Sequence, residues 1–115
     1  MVGILQNSTE LINNEVSIDS NYFQGGLLPK LNSPLQVGIY IYFNNKTTIK
    51  NNIFSNLKHA IELNSTAGEI SANYNSFLEI KSAALYLNKT DVVTLNLKNN
   101  SYCNELQDVV LVSDQ

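Results

Sequence analysis

Thr47-Thr48-Ile49-Lys50-Asn51-Asn52-Ile53-Phe54-Ser55-Asn56-Leu57-Lys58-His59-Ala60-Ile61-Glu62-Leu63 is the stretch on which the fold turns. Ile49 precedes Asn52 by three residues, Phe54 follows it by two, and the alternation Ile61-Glu62-Leu63 closes the unit. The same residue types return along the chain. Asn21, Asn52, Asn75 and Asn100 are separated by 31, 23 and 25 residues, and each is followed two places on by an aromatic: Phe23, Phe54, Phe77 and Tyr102. Three residues before the Asn stand Ile18, Ile49, Ala72 and Leu97, and five before it Val16, Thr47, Ile70 and Leu95. That is the alternation of a half-buried strand. The residues between, Ser17, Thr48, Ser71 and Asn96, are expected to face water.

A second strand is expected in each unit, at Gly38-Ile39-Tyr40-Ile41, Ala60-Ile61-Glu62-Leu63, Ala84-Leu85-Tyr86-Leu87 and Val109-Val110-Leu111-Val112. Five residues separate aromatic and second strand in the second unit, six in the third and fourth, and fourteen in the first. The long connection holds Gly25-Gly26, Pro29 and Pro34, residues unsuited to a continuous ladder, so 24–37 is expected to be an excursion from one rung. Gly3-Ile4 has the look of a second strand from a truncated preceding unit, with Gln6 where an apolar residue belongs. A period near 23 to 25 residues with short strands in each turn fits a β-solenoid. The Leu-x-x-Leu-x-Leu spacing of leucine-rich repeats does not recur, and a β-sandwich has no reason to place Asn-x-aromatic at the same point four times.

From Val16 to Val112 the sequence resembles the right-handed parallel β-helix family, the pectate-lyase-like solenoids that include polysaccharide lyases, phage tailspikes and many surface proteins. The resemblance rests on the repeated Ile-x-x-Asn-x-Phe followed by small-Ile-x-Leu. It implies an all-β chain, a right-handed parallel β-helix of about four to five rungs. It also implies a column of stacked Asn side chains at a tight turn, with the aromatics as a second column. An amide offers both donor and acceptor, so such a column satisfies itself. The whole of 1–115 then forms a single module, a segment of a longer solenoid or a stacking subunit.

Composition bounds the partners. Asn occurs 18 times, which suits a chain that turns often, because Asn tolerates left-handed backbone and caps turns. A net charge of −3 with scattered charges gives no surface for nucleic acid or anionic lipid. No apolar run approaches the roughly 20 residues of a membrane-spanning helix. Cys103 and His59 each stand alone, so no disulfide framework, zinc cluster or triad is indicated and no cofactor is expected. Cys103 is read as a small wall residue, His59 as an exposed or capping one.

The resemblance implies that polysaccharide-cleaving members bind substrate along an exposed wall with clustered carboxylates, sometimes with calcium, or with basic residues. In the register above, one outward column runs Asp19, Lys50, Asn73, Lys98 and another Tyr40, Glu62, Tyr86, Leu111, so no two carboxylates meet on adjacent rungs. A glycosidase needs two across the scissile bond. Tyr40, Glu62 and Tyr86 form the candidate carbohydrate-binding site, two aromatics flanking a carboxylate, with a plain solvated β-face as the alternative. Sequons stand at Asn7, Asn45, Asn64, Asn88 and Asn99, those at Asn7, Asn64 and Asn88 each directly after a second strand. Turn chemistry accounts for them equally well.

Together these features point to a structural or adhesive module of the extracellular space or of a cell or virion surface, non-catalytic. The alternative is a polysaccharide-binding or depolymerising fragment of tailspike or lyase type. Apolar strands lie close to both chain ends, and the expected partner is further rungs of the same polypeptide or another copy stacked end to end as a filament.

Overall fold

The computed structural model describes residues 2–7, 15–25, 37–42, 46–64, 67–88, 91–102 and 106–113. Among the described residues every regular element is a strand: β1 (Val2–Asn7), β2 (Glu15–Asp19), β3 (Tyr22–Gln24), β4 (Val37–Tyr42), β5 (Lys46–Lys50), β6 (Ile53–Asn64), β7 (Ala67–Asn73), β8 (Ser76–Asn88), β9 (Asp91–Asn96), β10 (Ser101–Tyr102) and β11 (Asp108–Ser113). All of the pairings between them are parallel. They build a four-stranded sheet in the order β2-β5-β7-β9 and a seven-stranded sheet along β1-β4-β6-β8, with β3 beside β6 and both β10 and β11 beside β8. The protein is thus all-β with two parallel sheets. Each repeat lays one strand in the smaller sheet, turns at its Asn, and continues in the larger one.

Alternation decides which face is inside. Ile18, Ile49, Ile70 and Ala72 from the smaller sheet join Phe23, Phe54, Phe77, Ile39, Ile61 and Leu85 from the larger in a single apolar core. The register puts Ile18 opposite Ile49 and Ile49 opposite Ala72, and likewise Ile39 opposite Ile61 and Ile61 opposite Leu85. Of the positions expected to face water, Ser17 is exposed, while Thr48, Ser71 and Asn96 are half-buried.

At the corner between the sheets each repeat places one residue in the left-handed region immediately before its Asn: Ser20 at φ 63°, and Asn51, Tyr74 and Asn99 each at φ 58°. One such residue redirects the chain within a single step. Corner backbone then pairs with the next repeat, the N–H groups of Ser20, Asn51 and Tyr74 donating to the carbonyls of Lys50, Asn73 and Lys98.

Behind these corners lies the amide column. The backbone N–H of Asn21 donates to Asn52 Oδ1 at 2.8 Å, that of Asn52 to Asn75 Oδ1 at 3.0 Å, and that of Asn75 to Asn100 Oδ1 at 2.8 Å. Each Nδ2 reaches the same oxygen at 3.2 Å. In Asn52 and Asn75 the Nδ2 also reaches back, to the carbonyls of Ile18 and Ile49, both at 3.0 Å. The fully buried Asn52 and Asn75 are therefore satisfied on both sides, which removes the cost an isolated buried amide would carry. Beside them Phe23, Phe54, Phe77 and Tyr102 stack with centroids 5.0, 5.2 and 5.2 Å apart and planes within 11°.

Two sequence expectations are corrected. Aromatic and second strand are not separate elements in the second and third repeats, because β6 and β8 run unbroken from Ile53 to Asn64 and from Ser76 to Asn88. Asn56 (φ 57°) and Glu79 (φ 51°) bend them without interrupting the ladder. A register shift between Leu57 and His59 absorbs the additional residue of β8. The excursion of the first repeat is also shorter than 24–37, since Gln24 pairs with Ser55 in β3 and Val37 with His59 in β4. Two strands separated in sequence thus lie along a single β6, and 26–36 fall outside the described residues. The small residues that open the second strands have a packing reason: a Cβ on Gly38 would lie 2.8 Å from the Ala60 carbonyl oxygen and 2.9 Å from Phe54 Cδ1.

Candidate functional site

The three candidate carbohydrate-binding residues come from neighbouring strands. Tyr40 on β4 is paired with Glu62 on β6, and Glu62 with Tyr86 on β8, so the column is continuous across three repeats. All three are half-buried. Asn64 Nδ2 donates to the Tyr40 hydroxyl at 2.9 Å, and the Tyr40 and Tyr42 rings lie near parallel with centroids 6.5 Å apart.

His59 belongs to this wall, which corrects the expectation that it is exposed or capping. Only 5% of it is exposed. Its Nδ1 is 2.6 Å from Glu62 Oε1, and its ring centroid is 4.7 Å from that of Tyr86, tilted by 52°. Because a carboxylate only accepts, the Nδ1 carries the proton of this bond and Nε2 is the ring nitrogen left over. That Nε2 is buried and has no hydrogen-bond partner among the described residues. The pair fixes one carboxylate oxygen between two tyrosines. What sequence offered was the unequal spacing, five residues in one repeat against six in the next, which marks the register shift beside which His59 is packed.

The other outward column holds an exposed cluster at one corner. Asp19 Oδ1 accepts from Ser20 Oγ at 2.7 Å and from Asn51 Nδ2 at 3.1 Å, and Asp19 Oδ2 is 3.8 Å from Lys50 Nζ. The Ser20 bond foremost and then the Asn51 bond hold the Asp19 carboxyl below the usual aspartate value against desolvation, with the Lys50 charge the smallest contribution. Lys98 lies two repeats on, its N–H donating to Asn73 Oδ1 at 2.8 Å, and takes no part in the ion pair.

Among the sequons, Asn7, Asn64 and Asn88 occupy one register column at the ends of β1, β6 and β8, through Tyr42 of β4. Asn64 and Asn88 are half-buried, and Asn64 already uses its amide nitrogen on Tyr40. Asn99 is exposed at its corner. Asn45 and Cys103 lie outside the described residues.

Among the described residues, no group of three His, Cys, Asp or Glu side chains could hold a metal ion. Among them, too, no helix is long and apolar enough to cross a membrane. No protein-family model, curated protein or solved structure matches the chain.

Proposed function

We propose that the chain is a segment of a right-handed parallel β-helix that serves as a structural or adhesive module at a cell or virion surface. The observation that carries this is the pair of uninterrupted columns, Asn21-Asn52-Asn75-Asn100 and Phe23-Phe54-Phe77-Tyr102, which bind each repeat to the next through side chains as well as backbone. Right-handedness is the usual chirality of parallel crossovers. A scaffold of this kind presents long walls at fixed spacing, and its stability comes from the contact between neighbours. N-glycans at Asn7, Asn64 or Asn88 accord with an extracellular setting, and mass analysis of protein from the native source before and after glycosidase treatment tests them. The functional test is incubation with a panel of acidic polysaccharides, followed by assay for new reducing or unsaturated ends. A structural module releases none, and turnover overturns the proposal.

A second reading has its own support. The His59–Glu62 bond holds a carboxylate in place between Tyr40 and Tyr86, an arrangement suited to stacking on a sugar ring and accepting from its hydroxyls. On this reading the wall binds a glycan without cleaving it. Glycan-array binding that is abolished by Tyr86→Ala and weakened by Glu62→Gln supports it. Binding indifferent to both substitutions assigns the wall to plain β-surface.

A further inference from the structure

The two ends of the repeat array differ in how they are finished. In the first full repeat Ile18 and Phe23, on β2 and β3, are buried. In the last, Leu97 and Val110 are still half-buried against the core, but four other residues at inward positions are uncovered: Leu95 is 40% exposed, Tyr102 37%, Val109 38% and Val112 58%. Their counterparts one repeat earlier, Ile70, Phe77, Ala84 and Leu87, are all 5% exposed or less. The apolar exposure follows the position in the array and not the kind of side chain.

The amide column also has a direction. Asn21, Asn52 and Asn75 each give their backbone N–H and one Nδ2 hydrogen to the Oδ1 of the following repeat. Asn100 accepts both from Asn75 and sends its Nδ2 back to the Ala72 carbonyl at 2.7 Å. Among the described residues its own N–H has no acceptor. The end formed by β9, β10 and β11 therefore presents the Asn100 N–H as a donor beside the partly uncovered Tyr102 ring.

We propose that this face docks one more repeat of parallel β-structure whose Asn offers its side-chain carbonyl to the Asn100 N–H and whose aromatic ring stacks on Tyr102. Donor meets acceptor in that arrangement, and the contact continues the one already made three times within the chain. It goes beyond the functional reading above, since it follows from the ladders alone.

A second copy of this chain is the poorer occupant. At the opposite end β1 pairs with β4 and projects one repeat beyond β2 and β3. Setting β9 and β10 of one copy against β2 and β3 of another forces β11 into the place of β1, with Val109 where Gly3 stands. A Cβ at Gly3 would lie 2.6 Å from the Gly38 carbonyl oxygen and 2.7 Å from Phe23 Cδ1. Glycine is tolerated there because it has no Cβ, and valine would require the backbone to shift.

The experiment appends a duplicate of residues 67–88 directly after Gln115. Two residues then separate Ser113 from the added repeat, as 65–66 separate β6 from β7 and 89–90 separate β8 from β9. Amide exchange at Asn100 and the fluorescence of an apolar-surface dye are compared in the parent chain, in the extended chain, and in an extended chain with Asn75→Leu in the duplicate alone. The expected result is at least tenfold slower exchange at Asn100 and reduced dye binding in the extended chain, with the protection largely lost in the variant. Unchanged exchange on extension, or equal protection by the variant, overturns the proposal. So does concentration-dependent self-association of the parent chain that protects Asn100, which would make a second copy the occupant.

Discussion

Asn52 and Asn75 share one oxygen: the backbone N–H of Asn52 and its Nδ2 both donate to Asn75 Oδ1, at 3.0 and 3.2 Å, inside a core that excludes water. Replacing Asn75 by Leu removes that acceptor and also the donor to the Ile49 carbonyl. Each buried group left without a partner costs about 1–3 kcal/mol. Asn21→Leu alters the exposed end of the same column and should cost much less. Urea denaturation of the two variants checks the ranking, and equal losses would show that the column carries no special weight.

The aromatic column makes a parallel case. Phe54 is fully buried and stacked on both sides, so Phe54→Ala opens a cavity in mid-core, with an expected loss of about 3–5 kcal/mol. Tyr102→Ala deletes a ring stacked on one side and partly exposed. A loss there as large as at Phe54 would contradict the packing described.

His59 and Glu62 act as a unit. With side chains 6% and 21% exposed, they depend on one another for hydrogen bonding. A double-mutant cycle with His59→Leu and Glu62→Leu should give a coupling of about 1–3 kcal/mol. The double variant should lie nearer the parent than the single variants predict, because a carboxylate left behind without His59 loses its fixed partner while an apolar pair does not need one. Additive losses would sever the link between the two residues.

Asp19 titrates with a lowered pKa, so the sign of its pH effect is fixed. Its contribution to stability is present above the unfolded-state pKa and is lost as pH falls through the lower folded-state value. Ser20 is the largest cause, and Ser20→Ala should move the Asp19 midpoint upward in a carbon-detected NMR titration. A midpoint that does not move would assign the shift to Asn51 and Lys50.

Ladder positions were legible because they depend on sequence spacing alone: a parallel array repeats its inward residues, and Asn, aromatic and aliphatic side chains announce themselves at fixed offsets. The column Tyr40, Glu62, Tyr86 was readable for the same reason. What spacing does not convey is local backbone. Glu79 and Tyr74 occupy left-handed positions that their side chains do not favour, so nothing in their identity marked the bend in β8 or the corner before Asn75. The burial of His59 is not legible in its own identity, because its ring lies against Tyr86 of the neighbouring strand, a relationship between strands and not a property of either.

Tyr74 supplies the last test. It is 60% exposed and held at φ 58°, the angle that Asn51 and Asn99 adopt at the equivalent corners. Non-glycine residues other than Asn and Asp incur roughly 1–2 kcal/mol in this region, because Cβ crowds the following carbonyl. The corner still forms, since the Tyr74 N–H donates to the Lys98 carbonyl at 3.1 Å and the neighbouring Asn75 is locked in its column. Tyr74→Asn keeps that backbone bond, removes little buried surface and suits the conformation, and it should raise stability by about 1 kcal/mol. The reverse exchange, Asn51→Tyr, should lower stability by a similar amount. Thermal and urea unfolding of both variants decide the matter, and a destabilised Tyr74→Asn would mean that the tyrosine ring makes a contribution at the surface larger than the strain it imposes.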